Sequence, residues 1–406
     1  MSEKVYIVGA KRTPIGSYLG SLKDVSAAHL GSVAVKEAVQ MSGVAPEDID
    51  EVIMGHVLSA GQGQGVARQV AIHAGLSQDI PAYAINMVCG SGLKSVMNAY
   101  TSLKAGMGQV VVAGGTEVMS QSPFLLSHRA RTGQKMGAIE TKDHMLCDGL
   151  TDAFSHHHMG VTAENIAEEY DISRERQDQF AYESQQKAIH ARDAGIFKEE
   201  IVPVTVSTRR GEVTVDTDEY INDSTTLEKL SALRPAFKKE GTVTAGNASG
   251  LNDGAAATVL VTEKYLNEHS DIQPLVEIVA IGQGGVDPQM MGMGPVAAVR
   301  QALDHAGLQL SDIDVLELNE AFAAQGLAVM DELAKEHAIS IDELQKKTNV
   351  NGGAIALGHP IGASGNRILV TLIHTLRRLG LKYGLASLCI GGGMGVAVIV
   401  KNVAER

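Results

Sequence analysis

Apolar and polar positions follow a pattern that occurs twice in this chain. From Val33 to Gly43 apolar residues recur at helical spacing and stop on glycine; Glu47 to Asp50 then reads as a turn, and Val52-Ile53-Met54 as a buried strand. The same signals return from Val296 to Gly307, followed by Asp312-Ile313-Asp314 and a strand ending at Leu318. A single offset of 264 residues relates Ala38 to Ala302, Gly43 to Gly307 and Ile49 to Ile313. A register kept this long predicts a duplicated fold with its active site between the copies.

The correspondence continues downstream. Leu93, Val96, Met97, Tyr100 and Leu103 mark one amphipathic helix between Gly92 and Gly106, and Ile368, Leu369, Leu372, Ile373 and Leu376 mark another between Ser364 and Gly380. A short apolar strand follows each, Val110 to Ala113 and Leu385 to Leu388, and each is expected to run into a glycine turn, at Gly114-Gly115 and at Gly391 to Gly393. Strands alternating with helices imply an α/β fold with parallel pairing and sheets covered by helices. Between the copies the pattern breaks into polar loops and a charged helical stretch from Thr162 to Ala194, which reads as an inserted lid. Ala255 to Val261 reads as a strand returning to the first sheet. The expected division is 1–118 plus 250–272 for the first half, 119–249 for the lid and 273–406 for the second half.

Composition narrows the class. A chain of 406 residues exceeds what one core usually organises and leads to an expectation of two or three domains. Its 44 glycines stand in no repeating tract and read as tight turns. A net charge of −13 argues against nucleic-acid or anionic-membrane partners, so an anionic substrate would need a local cationic pocket. Cys89, Cys147 and Cys389 include no closely spaced pair and read as free thiols in a reducing compartment. No run of 18 apolar residues occurs, so the cytoplasm is the expected location.

Four segments could carry chemistry. Cys89, in Asn86-Met-Val-Cys-Gly-Ser-Gly92, precedes a helix whose free N–H groups and dipole would stabilise a thiolate; the bland alternative is a small buried cysteine that only packs. His359 lies in the second copy's counterpart of that loop, Gly358-His-Pro-Ile-Gly362, where it could take the thiol proton. Cys389 ends the last buried strand before Gly391-Gly-Gly393, whose backbone N–H groups can approach a substrate oxygen. Asn319, in Asn319-Glu-Ala-Phe322, is polar where the first copy has Gly55.

Taken together, these segments resemble the thiolase family over essentially the whole chain. The resemblance implies two similar mixed-sheet α/β halves in an α-β-α-β-α layering with an inserted lid. It implies ping-pong acyl transfer: Cys89 becomes acylated with His359 as its base, and Cys389 removes a proton alpha to the thioester of a second acetyl-CoA. His359 and a water held by Asn319 would form one oxyanion hole, and the N–H groups of Cys89 and Gly391 the other, each donor contributing about 3 kcal/mol. Acetyl-CoA C-acetyltransferase activity is expected, with coenzyme A as substrate or product and no prosthetic group. A homodimer or homotetramer is expected by the same resemblance. Alternatives are a 3-ketoacyl-CoA thiolase of broader chain length or a beta-ketoacyl synthase, against which Cys389 counts. A non-catalytic relative acting as a carrier or scaffold would tolerate loss of these residues.

The resemblance also assigns substrate contacts. His158 and Met159 match a lid segment lining the pantetheine channel, and Ala245 and Ser249 match residues lying along bound CoA. Met291 and Phe322 match residues bounding the acyl pocket of short-chain relatives. His156-His157-His158 is expected to hold no metal, because adjacent side chains point apart and no other ligand stands at suitable spacing. Glu219 to Asp223 lacks an arginine that some relatives carry; Arg209, Arg210, Lys238 and Lys239 remain as cations for the CoA phosphates.

Overall fold

The computed structural model describes residues 3–403. Its main sheet has ten strands. Nine lie along one path, in the spatial order Val315–Leu318, Tyr383–Ile390, Met394–Asn402, Val276–Gly285, Val5–Arg12, Asn252–Thr262, Val110–Val118, Glu51–Gly55 and Ala82–Ile85. The path is two sheets joined by a narrow seam, because Val5–Arg12 and Val276–Gly285 share only the pairs Tyr6 with Glu277 and Ile7 with Val276.

Each half arises from the repeated signals. The helices Ala27–Ser42 and Gly294–Ala306 both end on a left-handed glycine, Gly43 at φ 70° and Gly307 at φ 64°, where a side chain would be strained. Three-residue 3₁₀ turns at Pro46–Asp48 and Leu310–Asp312 follow, then the strands Glu51–Gly55 and Val315–Leu318, all at the same offset.

Five layers result. Ala27–Ser42 and Val66–His73 cover the outer face of the first sheet. Gly294–Ala306 and Ala323–Glu336 cover the outer face of the second. Between the sheets, Ser91–Lys104 and Ser364–Leu379 pack on each other, with Leu93, Val96 and Leu103 sharing a core with Ile368, Leu372 and Leu376. Their apolar faces are thereby enclosed between the two sheets.

Two expectations need correction. Pairing is parallel where Glu51–Gly55 meets Ala82–Ile85 and Val110–Val118, and where Val315–Leu318 meets Tyr383–Ile390; the other main-sheet pairings are antiparallel. The Val110 strand does not turn at Gly114-Gly115 but runs through to Val118. Those glycines serve close approach instead: a Cβ on Gly115 would collide with the Gly362 carbonyl of the His359 loop. The charged stretch from Thr162 to Ala194 is two helices, Met159–Glu169 and Arg174–Asp193, the second capped by Ser173. The strand Asn252–Thr262 does return to the first sheet, between Val5–Arg12 and Val110–Val118.

The inserted segment is tied down by a buried charge cluster. Arg12 donates to Glu200 at 2.6 Å and to both oxygens of Asp218 at 2.7 and 2.9 Å. Two partners offset the cost of burying the guanidinium, so loss of either carboxylate would be strongly destabilising.

Candidate active site

Cys89 stands at the end of a strained turn. Val88 before it has φ 45°, a left-handed conformation costly for a β-branched residue. Ser91 holds the turn: its hydroxyl accepts from Met87 N–H at 2.8 Å and donates to the Val88 carbonyl at 2.7 Å. The thiol is 4% exposed, and the backbone N–H groups of Gly391 and of Cys89 itself act on its sulfur to draw its pKa down. Burial nevertheless pushes its pKa up to about 11, and the nearby Glu117 charge adds to the rise. The expected thiolate stabilisation at the helix start is outweighed by desolvation, so the resting group is a thiol.

A neutral thiol needs a base, and the environment of His359 provides one. The ring is 5% exposed, and burial with the neighbouring Arg367 charge pushes its pKa down to about 3. Its Nδ1 lies 2.6 Å from Ser364 Oγ, whose own proton goes to the Pro360 carbonyl at 2.9 Å. The hydroxyl can therefore only accept, which places the imidazole proton on Nδ1 and leaves Nε2 with a free lone pair. Among the described residues Nε2 has no hydrogen-bond partner. The loop backbone is fixed as well, since Asn252 Oδ1 accepts from His359 N–H at 2.9 Å.

Glycines bring the two loops together. A Cβ on Gly92 would lie 2.8 Å from Asn366 N, and one on Gly365 would collide with Leu93 N, so the central helices cross at their first turns with no room for a side chain. Glu117 reinforces the junction from the first half. Its buried carboxylate accepts from Val57, Leu58 and Gly362 N–H at 3.0, 3.1 and 3.0 Å.

Cys389, 1% exposed, ends Tyr383–Ile390, and the chain reverses through Gly392 and Gly393 at φ 88° and 84°. Burial raises its pKa, and the neighbouring Cys89 raises it further, which makes both thiols neutral at rest. Asn319 anchors its backbone on the Ser387 carbonyl at 3.0 Å, while its buried side-chain oxygen and nitrogen have no protein partner among the described residues. A buried amide in that state is suited to holding a water.

Cys89, His359 and Cys389 line one cavity of about 310 Å³. His158, Met159, Ala245, Ser249, Met291 and Phe322 line it too, whereas Asn319 and Gly391 are not part of its lining. His158 stacks on Phe237 with ring centres 4.7 Å apart, and Phe237 meets Phe322 edge-on at 6.2 Å. Met159 packs so close to Gly391 that a Cβ there would stand 2.8 Å from its sulfur. Tyr220 and Ala245 also border an adjoining cavity of about 290 Å³, which extends the space toward Asn222 and Lys229.

The candidate cations are less gathered. Arg209 and Arg210 are exposed between the strands Val204–Thr208 and Gly211–Val215. Lys238 is engaged with Asn165 at 3.3 Å and Glu168 at 3.6 Å, and Lys239 is exposed. His156 and His157 face outward, and only His158 turns into the cavity. Ser364, Glu117, Asn252, Phe237 and Tyr220 did not stand out in the sequence. Ser364 alone had a readable signal, as a hydroxyl residue opening the helix after the histidine loop.

Comparison with known proteins covers the whole arrangement. Residues 5–264 match the thiolase N-terminal domain and residues 272–402 the thiolase C-terminal domain. A probable acetyl-CoA acyltransferase of Staphylococcus aureus is 52% identical over 400 residues, which are 98% of this chain and 99% of that one. An acetyl-CoA acetyltransferase of Syntrophomonas wolfei is 50% identical over 403 residues, 99% of this chain and 100% of the other. The crystal structure of human mitochondrial 3-ketoacyl-CoA thiolase in complex with CoA superposes with a TM-score of 0.92 at 45% identity, covering 99% of this chain and 98% of that one.

Proposed function

The chain belongs to the thiolase family, and on that premise we propose that it is an acetyl-CoA C-acetyltransferase, reversibly joining two acetyl-CoA into acetoacetyl-CoA and CoA through an acyl-cysteine. The observation that carries this reading is the single cavity lined by Cys89, His359 and Cys389. Two thiols and an imidazole with a free lone pair fit two successive proton transfers on either side of an acyl transfer.

In the first half-reaction Cys89 Sγ attacks the thioester carbonyl while its proton passes to His359 Nε2. The Gly391 and Cys89 N–H groups, which act on the sulfur in the resting site, would hold the oxygen of the tetrahedral intermediate. As the intermediate collapses, the departing CoA sulfur takes a proton from Cys389, leaving a thiolate there. In the second half-reaction that thiolate removes the alpha proton of a second acetyl-CoA. His359, carrying the proton from Cys89, and a water on Asn319 stabilise the enolate oxygen. The carbanion attacks the acyl-cysteine, and the proton on His359 returns to Cys89, which closes the balance.

In this reading the reacting groups come from the halves 1–118 plus 250–272 and 273–406, and the lid 119–249 supplies His158, Met159, Ala245 and Ser249 to hold the pantetheine. Met291 and Phe322 bound a space suited to acetyl and acetoacetyl groups rather than longer chains. Coenzyme A enters as substrate, with no prosthetic group in the scheme. Free thiols at all three cysteines suit a cytoplasmic enzyme of acyl-CoA and fatty acid metabolism, acting as a homodimer or homotetramer without nucleic-acid or membrane partners. No helix among the described residues is long and apolar enough to cross a membrane.

The test is thiolysis of acetoacetyl-CoA by free CoA, followed as loss of enolate absorbance, with Cys89→Ala as control. Absence of thiolysis in the native chain, or undiminished thiolysis in the variant, would sink the proposal.

A further inference from the structure

On the lid, a second group of reactive side chains lies outside the acyl-transfer machinery. His144, Cys147 and Asp148 occupy positions i, i+3 and i+4 of a helical turn whose Met145–Leu150 part has π-helical geometry. That spacing puts three side chains on one face, and π-turns of this kind recur at functional positions. One ligand atom from each residue lies within 4.8 Å of the other two. Imidazole, thiol and carboxylate are the three side-chain types that zinc and cobalt favour together.

We propose that His144, Cys147 and Asp148 form a binding site for one divalent ion of the zinc and cobalt class. His144 Nδ1 now lies 2.7 Å from Asp148 Oδ2, with a proton between them, and its Nε2 accepts from Ala60 N–H at 3.4 Å. The ion takes the place of the proton at Nδ1. That proton moves to Nε2, and the Cys147 thiol releases its own to solvent, so a divalent ion meets one thiolate, one carboxylate and one neutral imidazole. The charges sum to zero, which suits the partly buried position.

The tautomer change gives up the 3.4 Å contact with Ala60, and loss of the thiol proton gives up the 3.8 Å donation from Cys147 Sγ to the His144 carbonyl. Ala60 adjoins a segment containing Gly61, Gly63 and Gly65, all at positive φ and able to yield. Access is open, because Asp148 is exposed, Cys147 is half-exposed, and both border a cavity of about 1040 Å³. A fourth coordination position faces that space. The site is separate from the reacting groups, since Leu146 and Leu150, rather than the three ligands, border the substrate cavity.

Co(II) is the probe, because a thiolate ligand gives it a near-ultraviolet charge-transfer band. Titration of the full chain is expected to saturate with a band that persists in Cys89→Ala and in Cys389→Ala and vanishes in Cys147→Ser. Asp148→Asn and His144→Gln are expected to weaken Co(II) binding by more than the roughly 10- to 100-fold that loss of an outer-shell partner costs. A chain that gives no band, a band that survives Cys147→Ser, or a band lost with Cys89 overturns the proposal.

Discussion

Ser364 accepts a 2.6 Å hydrogen bond from His359 Nδ1 and cannot return one, because its own proton is held by the Pro360 carbonyl. The serine therefore selects which imidazole nitrogen faces the thiol. Ser364→Ala is expected to lower kcat by up to about 10²-fold, the lower end of what a positioned base contributes, with KM little changed. Ser364→Thr, which keeps the hydroxyl, is expected to retain most of the rate. Steady-state thiolysis distinguishes the two, and an unaltered kcat in the alanine variant would remove the tautomer from the mechanism.

Cys89 and His359 are both neutral between about pH 3 and about pH 11. Alkylation of Cys89 by iodoacetamide in the free protein is expected to keep rising with pH beyond the ordinary thiol value of about 8.5. A plateau below pH 9 would contradict it.

The same shifts set a stability window. The thiol's raised pKa stabilises the fold fully below its unfolded value, and that contribution is lost as pH climbs toward about 11. The imidazole's lowered pKa stabilises the fold above its unfolded value of about 6.5, and that contribution is lost as pH falls toward about 3. His359→Gln is therefore expected to flatten the acid limb of denaturant midpoints measured from pH 7 downward. An acid limb of unchanged steepness would show that other groups govern it.

Cys389→Ser is expected to leave acetyl labelling of Cys89 from acetyl-CoA detectable while slowing alpha-proton exchange at least about 10²-fold. Equal exchange in variant and native chain, followed by loss of deuterium, would take the proton transfer away from Cys389.

Met291 and Phe322 line the cavity and share one apolar cluster with Cys389. Met291→Ala is expected to raise kcat/KM for longer 3-ketoacyl-CoA relative to acetoacetyl-CoA by about 10-fold or more, since one methylene of fit is worth about 1–3 kcal/mol. A ratio that does not move would place the length limit elsewhere.

Much of this was legible beforehand because the repeated helix, glycine stop and strand are local signals, and local signals survive in one-dimensional order. The 264-residue offset foretold matching caps at Gly43 and Gly307, and the looser repeat of helix and strand signals downstream foretold the cysteine and histidine loops at the heads of paired helices. What stayed hidden depends on distant neighbours. Gly114-Gly115 read as a turn, yet serves the approach of Gly362 from far along the chain. Glu117 shows its purpose only once three backbone N–H groups from two separate loops converge on it. The sign of the Cys89 shift also escaped, because burial depends on everything folded over the helix start.

Cys89 and His359 ride on loops locked to one another by the glycine crossing and Cys389 on a buried strand, whereas His158, Tyr220, Phe237, Ala245 and Ser249 belong to the inserted segment above them. The molecule is thereby modular in a way useful to engineers: a combinatorial library restricted to the overlying residues searches the fit of the pantetheine arm while the reacting groups keep their supports. Selection for altered thioester carriers can proceed there without re-optimising the chemistry at each round.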